Sequence, residues 1–544
     1  MSSDTEEMQF LQRVSPTFGG ISCAIPKPQL GPLDRLRRRL AFRNQIHVYP
    51  RRSMVSQQSV MSMFYPGNAF GIITNEEFFN DAIDAMQWGS DFDAAKPLFA
   101  QVAALRDQVP HMARSALFNE NCDFASNLSY CKNCYLIFNS THVEDSMYGE
   151  NLWQTKDSLD SSYLTDCELC YDCLLCQKCY NLQSSWDCEG CSESYFLLGC
   201  ISCQHCFGCV NLRHKEHYIY NRAVTAAEYS TFLSTINLAS RTERAVYAEQ
   251  AEKLWRSQPR PHVTVKHCEN VEGNYLFHSR DLKNCFFINN GESLQHCAFL
   301  YGGAKDCRDL TFVGLNSELM YESAWCALNC RLCRFCFWCL QCDDLLYCWH
   351  CISCRNCFGC VGLRNKEFCV LNRQYTKEEY ARLVPRIIEQ MSNSGTWGEF
   401  FPMSMSPIPY NHSMAQRYFP LTEKEVRDFG CTWYEKPAQT VAGAISTESL
   451  PDIDALSDET LIFKSAQSGA PFRITSEERK RYRKFCAPLP TLTYDERLTA
   501  RALRLGGLVL HRRRCEKTGE SLVSNYTADS GWTIWSKEAY EASF

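Results

Sequence analysis

The side chains able to do chemistry here are mostly thiols. Of the chain's 34 cysteines, thirty fall in two blocks, Cys122–Cys209 and Cys268–Cys369. In the first, Cys167, Cys170, Cys173, Cys176 and Cys179 recur at every third residue. Cys188 and Cys191 follow, then Cys200, Cys203, Cys206 and Cys209. The second runs Cys330, Cys333, Cys336, Cys339 and Cys342, then Cys348, Cys351, Cys354, Cys357 and Cys360. A Cys-x-x-Cys turn lets two thiolates converge on one ion at about 2.3 Å, and two such turns complete a tetrahedral zinc site. Thiolates are soft, so zinc or iron is expected ahead of magnesium or calcium. The candidate zinc ligands are Cys167, Cys170, Cys176, Cys179, Cys200, Cys203, Cys206 and Cys209, with Cys351, Cys354, Cys357 and Cys360. An iron–sulfur electron-transfer protein competes with this reading. Neither Cys209 nor Cys360, however, is followed by the proline of the bacterial ferredoxin run; valine follows both.

A purely architectural use of the same thiols is the other alternative. Free cysteine packs as a small buried hydrophobe. Asn or Asp often precedes it, as at Asn121, Asn133, Asp166, Asp172, Asp187, Asn284, Asn329 and Asn356. Such residues suit the tight corners of a β-solenoid, in which each coil stacks on the last. Uniform three-residue runs favour this view, because a zinc knuckle needs two ligands, a gap, then two more. A solenoid carrying a few metal sites reconciles the two. Thioredoxin-type redox chemistry would need a βαβ setting that these blocks lack. The histidines near the blocks (His205, His214, His217, His267, His296 and His350) share no register between the copies and are expected at the surface or in packing.

The elements that must position these thiols are duplicated. Cys200-Ile-Ser-Cys203-x-x-Cys206-Phe-Gly-Cys209 returns 151 residues later as Cys351-Ile-Ser-Cys354-x-x-Cys357-Phe-Gly-Cys360, and Tyr229 returns as Tyr380. Each copy ends in a capping box, Thr225-x-x-Glu228 or Thr376-x-x-Glu379, which predicts a helix. The first should reach about Leu254, and Pro385 should kink or stop the second. Around them lie a loose leader (1–26), a basic N-terminal module (27–115) and a C-terminal module (459–544). The repeats with their capping helices span 116–264 and 265–391, and a connector spans 392–458. The fold class is α+β multidomain: tandem Cys-rich β-solenoid or zinc-knuckle-like repeats, each followed by a helix, flanked by two related small basic α/β modules.

Apolar and aromatic fractions of 45% and 13% suffice for packed cores, so disorder is not the default. No apolar run approaches ~18 residues and the start is acidic, so neither a membrane span nor a secretory signal is expected. A cytoplasmic, reducing location follows, in which structural disulfides are not expected. Charge divides unevenly. The first block has 14 acids and 6 bases over 118–222, which repels phosphate. The ends are basic, with 13 bases and 5 acids over 471–517 and 8 and 1 over 27–52. Arg37, Arg38, Arg39, Arg512, Arg513 and Arg514 are therefore candidates for gripping a nucleic-acid backbone. The bland alternative pairs those helices with the acidic blocks of the same chain or of a partner chain.

Several segments together resemble an uncharacterised cysteine-rich family with zinc-ribbon-like end modules from candidate phyla radiation (Patescibacteria) bacteria. They are Arg39-Leu-Ala-Phe-Arg-Asn44, Lys132-Asn-Cys-Tyr135, Cys206-Phe-Gly-Cys-Val-Asn-Leu-Arg213 with Lys215, Phe419-Pro-Leu-Thr422, Pro471-Phe-Arg-Ile474, Pro488-Leu-Pro490 and Cys515-Glu-Lys-Thr-Gly519. The resemblance covers nearly the whole chain and implies no particular activity. In that pattern the end modules hold paired knuckle cysteines. Here Arg51-Arg-Ser-Met54 has none where Arg513-Arg-Cys515 keeps one, and Lys464-Ser-Ala-Gln-Ser-Gly469 resembles a knuckle without its thiol. The ends of this chain are accordingly expected to be metal-free. The whole reads as a non-enzymatic structural or interaction scaffold with zinc as the candidate metal. Its partner would be a protein or a second copy, nucleic acid would be reached through the basic ends, and no membrane is involved.

Overall fold

Among the described residues of the cysteine blocks, nearly every third sits at a corner of the backbone with φ near +50°. Asp166, Leu169, Asp172, Leu175 and Lys178 have φ of 53, 52, 53, 54 and 49°. The residue after each corner is buried and the next bridges to a neighbouring strand: Cys167 is buried, and Glu168 bridges to both Lys156 and Tyr180. Four such triplets make a turn of twelve residues, and successive turns pair in parallel. Ser192 thus lies between Tyr180 and Gln204, and Gln204 pairs onward with Glu216. The second block repeats the register, with Arg331, Asp343, Arg355 and Glu367 in succession. Left-handed φ costs a non-glycine residue roughly 1–3 kcal/mol, which the interlocking parallel ladders must offset.

The computed structural model describes residues 3–544 except 81, 306, 307, 309, 310, 314–316, 320, 323, 325–328, 437–440, 442, 448, 449, 451, 452, 454, 455, 457 and 458. Part of the expected connector over 437–458 therefore lies outside the described residues. The protein is mixed α and β, with twelve α-helices among the described residues. It divides into two compact units. One joins residues 1–114 to 263–434, with 507–511; the other joins 115–262 to 435–506 and 512–544. Each unit therefore combines one cysteine block with the end module from the far side of the chain.

In the unit built on the first block, two sides of the stacked turns are covered. Leu159, Tyr171 and Gln183 lie under the C-terminal module, where Gln183 Nε2 donates to the Phe485 carbonyl at 3.0 Å. The adjoining side, with Leu174, Trp186, Leu198 and Val210, meets the helix Arg241–Arg256 through Trp186 and Trp255, 5.5 Å apart. The other sides face solvent. One carries a ladder of alternating charge, Glu120, Lys132, Glu144, Lys156 and Glu168, with Lys132–Glu120 at 3.0 Å and Lys156–Glu144 at 3.5 Å. The other carries Trp153 and, along its corner, the stacked rings of Phe118, Tyr130 and His142.

The capping boxes at Thr225, Thr376, Thr422 and Thr475 all open helices, each threonine accepting from the glutamate N–H three residues on. Two expectations fail. The helix from Ala226 ends at Thr235 and a second one starts at Arg241, because Asn237 Oδ1 accepts from the Ala239 N–H and turns the chain. The helix Lys377–Asn393 continues past Pro385, which does not stop it. Burial of Tyr380, Val384, Ile387, Ile388 and Met391 outweighs the roughly 3 kcal/mol that an interior proline costs. The expected loose leader is also ordered: Ser3–Val14 is a helix that sends Phe10, Leu11 and Val14 into the core, with Phe10 against Tyr321.

Candidate functional site

Because the residue after each corner points inward, a cysteine at every third position lines the inside of a turn. Cys167, Cys170, Cys173 and Cys176 fill all four inward positions of one turn, as Cys330, Cys333, Cys336 and Cys339 do in the other block. Elsewhere these positions hold other small residues such as Ala125, Ser146, Gly149 and Ser161, or aliphatic ones such as Ile137, Leu152, Leu164 and Leu182. All twelve expected zinc ligands, from Cys167 to Cys209 and from Cys351 to Cys360, are buried and free of disulfides. Their sulfurs lie in close groups, Cys167 beside Cys170 and Cys179, and Cys188 beside Cys176, Cys191 and Cys200. Soft metals can bind such groups.

The present contacts of these sulfurs are with the main chain. Each thiol donates to the carbonyl two residues back, and most also reach one nine residues on. Cys167 Sγ is 3.2 Å from Thr165 O and 3.3 Å from Cys176 O. Cys354 Sγ is 3.4 Å from Ile352 O and 3.3 Å from Leu363 O. A donating thiol keeps its proton, whereas a zinc ligand must lose it. Burial pushes Cys173, Cys188, Cys200, Cys351 and Cys360 well above the ordinary thiol range, whereas hydrogen bonds from neighbouring thiols bring Cys167 down to about 5 and Cys354 to about 4 and also lower Cys203 and Cys209. Among the described residues no three cysteine sulfurs lie within 4.8 Å of one another.

The arginines of the basic modules are largely engaged within their own unit. Arg38 and Arg39 were candidates for phosphate, but both are buried on Glu322, at 2.7 and 3.3 Å, and Arg38 also holds Glu399 at 2.9 Å. With those carboxylates in their forks, neither can reach a nucleic acid, and that expectation is corrected for both. Arg37 pairs with Asp34 at 3.1 Å and lies over the Phe429 ring. Arg513 binds Glu516 at 2.9 Å and the Thr527 carbonyl at 2.7 Å. Arg512 and Arg514 are exposed. The other unit has its own counterpart of Glu322. Asp160, buried on the first block, takes Arg497 at 2.7 Å, Arg501 at 3.5 Å and the Tyr482 hydroxyl at 2.6 Å. Burial alone would raise its pKa, but the two guanidiniums win and hold it below the usual carboxylate value. Arg504–Asp172 at 2.8 Å and Lys484–Asp157 at 3.0 Å extend the seam.

The knuckle-like hairpins of the end modules share one geometry. Ser53, Ser465 and Cys515 each donate their N–H five residues on, to Gln58, Ala470 and Glu520, and each accepts a return bond four residues on. Where a metal would tie the hairpin to its helix, a hydroxyl–carboxylate pair does so. Ser53 Oγ donates to Glu77 at 2.5 Å and Ser465 Oγ to Glu496 at 2.6 Å. Burial works against ionisation of Glu77, yet hydrogen bonds from Ser53 and Ser56 bring it down to about 2. Cys515 Sγ instead accepts from the N–H groups of Thr518 and Ser536. One knuckle thiol and two serines do not make a zinc-ribbon donor set.

Two residues that sequence reasoning set aside are brought together. His205 and His217 lie one turn apart, rings stacked at 5.1 Å, and with Glu216 they form the one group of three ligand atoms within 4.8 Å of each other among the described residues. The signal was their twelve-residue spacing, invisible until the turn length is known. No family model, curated protein or solved structure matches the chain.

Proposed function

We propose that the protein is a non-enzymatic interaction scaffold in which each cysteine block is a short β-solenoid with its thiols as packing atoms. The observation that carries this reading is the repeated thiol-to-carbonyl hydrogen bond inside the twelve-residue turns, with the neighbouring arginines and carboxylates spent on holding an end module to each block. Thiols packed this closely without disulfides fit a reducing, cytoplasmic setting. No helix among the described residues is long and apolar enough to cross a membrane. The uncovered sides of the first block, with Phe118, Tyr130 and Trp153 at 74, 55 and 41% exposure, are where a protein or a second copy would dock.

Zinc on Cys167–Cys179 and Cys200–Cys209, or on Cys351–Cys360, is the competing reading, favoured by the close sulfur groups. It requires the thiols to exchange their carbonyl partners for the ion. Nucleic-acid binding retains Arg512 and Arg514 as exposed contacts.

The test compares the full chain with its Phe118→Ser/Tyr130→Ser/Trp153→Ser variant by sedimentation and co-purification. The scaffold reading expects a stoichiometric protein complex or self-association that persists at high salt and is lost in the variant. A chain that stays free in both forms contradicts it. So does one that binds RNA with steep salt dependence, flattened by Arg512→Ala/Arg514→Ala.

A further inference from the structure

At the C-terminal end of the first block, register places three side chains in one column. Glu193, His205 and His217 are successive twelve-residue partners, each at a corner with φ of 45, 50 and 58°. The strands Gln204–Phe207 and Glu216–Ile219 pair Gln204 with Glu216, which sets His205 beside His217. Glu216 Oε1 lies 3.6 Å from the Nδ1 of both histidines. The other nitrogen of His205, Nε2, is 3.0 Å from Glu193 Oε2. Tyr229, buried on the helix that follows, stands edge-on to both imidazoles at 6.0 and 5.9 Å.

From this arrangement we infer that His205, Glu216 and His217 form a binding site for a divalent first-row transition metal ion, with Glu193 as the carboxylate that orients His205. The distances carry the inference. Ligand atoms about 2.0–2.1 Å from a tetrahedral zinc are roughly 3.4 Å from one another. Both His–Glu separations of 3.6 Å are close to that edge and too long for hydrogen bonds, so the Nδ1 of His205 is buried with no hydrogen-bond partner among the described residues. A metal-bound histidine donates its remote N–H to a carboxylate, which fixes the tautomer and strengthens the ligand. Glu193 Oε2, 3.0 Å from Nε2, stands where it can take that role for His205. Two imidazoles and one carboxylate leave a fourth position for water and suit zinc or its Irving–Williams neighbours better than calcium or magnesium. The site is separate from the thiol interior, because all three ligands project from corners or the outer side of the turns.

The experiment loads the untagged full chain with zinc, measures stoichiometry and affinity by calorimetry, and repeats the titration with cobalt(II) in an absorption cell. The wild type should bind one equivalent, and its cobalt form should show the visible bands of a tetrahedral ion without a sulfur-to-cobalt charge-transfer band. His205→Gln and His217→Gln should each lose that equivalent. Glu193→Gln should fold normally and weaken binding by about 10–100-fold, and His214→Gln, an exposed neighbour, should bind like the wild type. An unchanged equivalent in the His205→Gln/His217→Gln double variant overturns the assignment. So does a sulfur-to-cobalt band on the bound ion, or no zinc uptake by a folded wild type.

Discussion

Asp160 and Glu322 illustrate how much of this protein's charge is internal. Each is a carboxylate buried on a cysteine block and met by at least two arginines of an end module, so Arg38, Arg39, Arg497 and Arg501 serve packing within their units. Removing one partner of such a buried pair is strongly destabilising, because it leaves an uncompensated buried charge. A buried pair of opposite character lies in the core of the unit that contains Glu322. His111 and His350 meet Nδ1 to Nδ1 at 3.1 Å, ringed by Phe64, Phe70, Phe337 and Trp338. Burial pushes His111 down to about 3 and His350 well below its ordinary value. Unfolded histidine takes up a proton near pH 6.5, while the folded pair stays neutral. The unfolded state therefore binds more protons below that pH, and stability falls as pH drops from about 6.5 toward 3. The slope should be about 1.4 kcal/mol per histidine per pH unit. Urea unfolding followed by fluorescence at pH 7 and pH 5 should show it, and the His111→Phe/His350→Phe variant should lose that part of the slope. Equal pH dependence in both proteins would count against the neutral pair.

At the scale of elements, the three-residue thiol spacing was readable and its meaning only partly so. Duplicated blocks, capping boxes and serine-for-cysteine knuckles stand in the sequence because each is a local pattern. The number of triplets in a turn does not. It depends on corners with positive φ that are filled by Leu169, Leu175, Phe196 and Tyr130 as well as by Asn and Asp, so residue type does not mark them. The twelve-residue period, once known, explains the inward set and the His205–His217 pair together. It also identifies Gly149 as an inward residue. A Cβ there would lie 2.7 Å from Leu152 Cδ1 and 2.9 Å from the Ser161 carbonyl. Gly149→Val should accordingly destabilise its unit by about 1–3 kcal/mol. Adding the same side chain at an outward position of that ladder, Lys156→Val, should have little effect. Equal melting temperatures for the two variants would refute the inward assignment.

For the whole molecule, chain order and packing order differ. The N-terminal module joins the second block and the C-terminal module joins the first, a crossing that no local signal encodes. Charge complementarity hinted at half of it, since the acid-rich first block takes the more basic C-terminal module. The central claim is that sulfur serves as interior packing, and native-state alkylation read by peptide mass spectrometry tests it most directly. The account predicts that Cys486, the one exposed thiol among the described residues, reacts at once, that the half-buried Cys268 and Cys431 follow slowly, and that Cys167–Cys179, Cys200–Cys209 and Cys351–Cys360 react only on unfolding, with or without a strong chelator. If those interior thiols label as fast as Cys486 in the folded chain, or become reactive when metal is stripped, the account is contradicted.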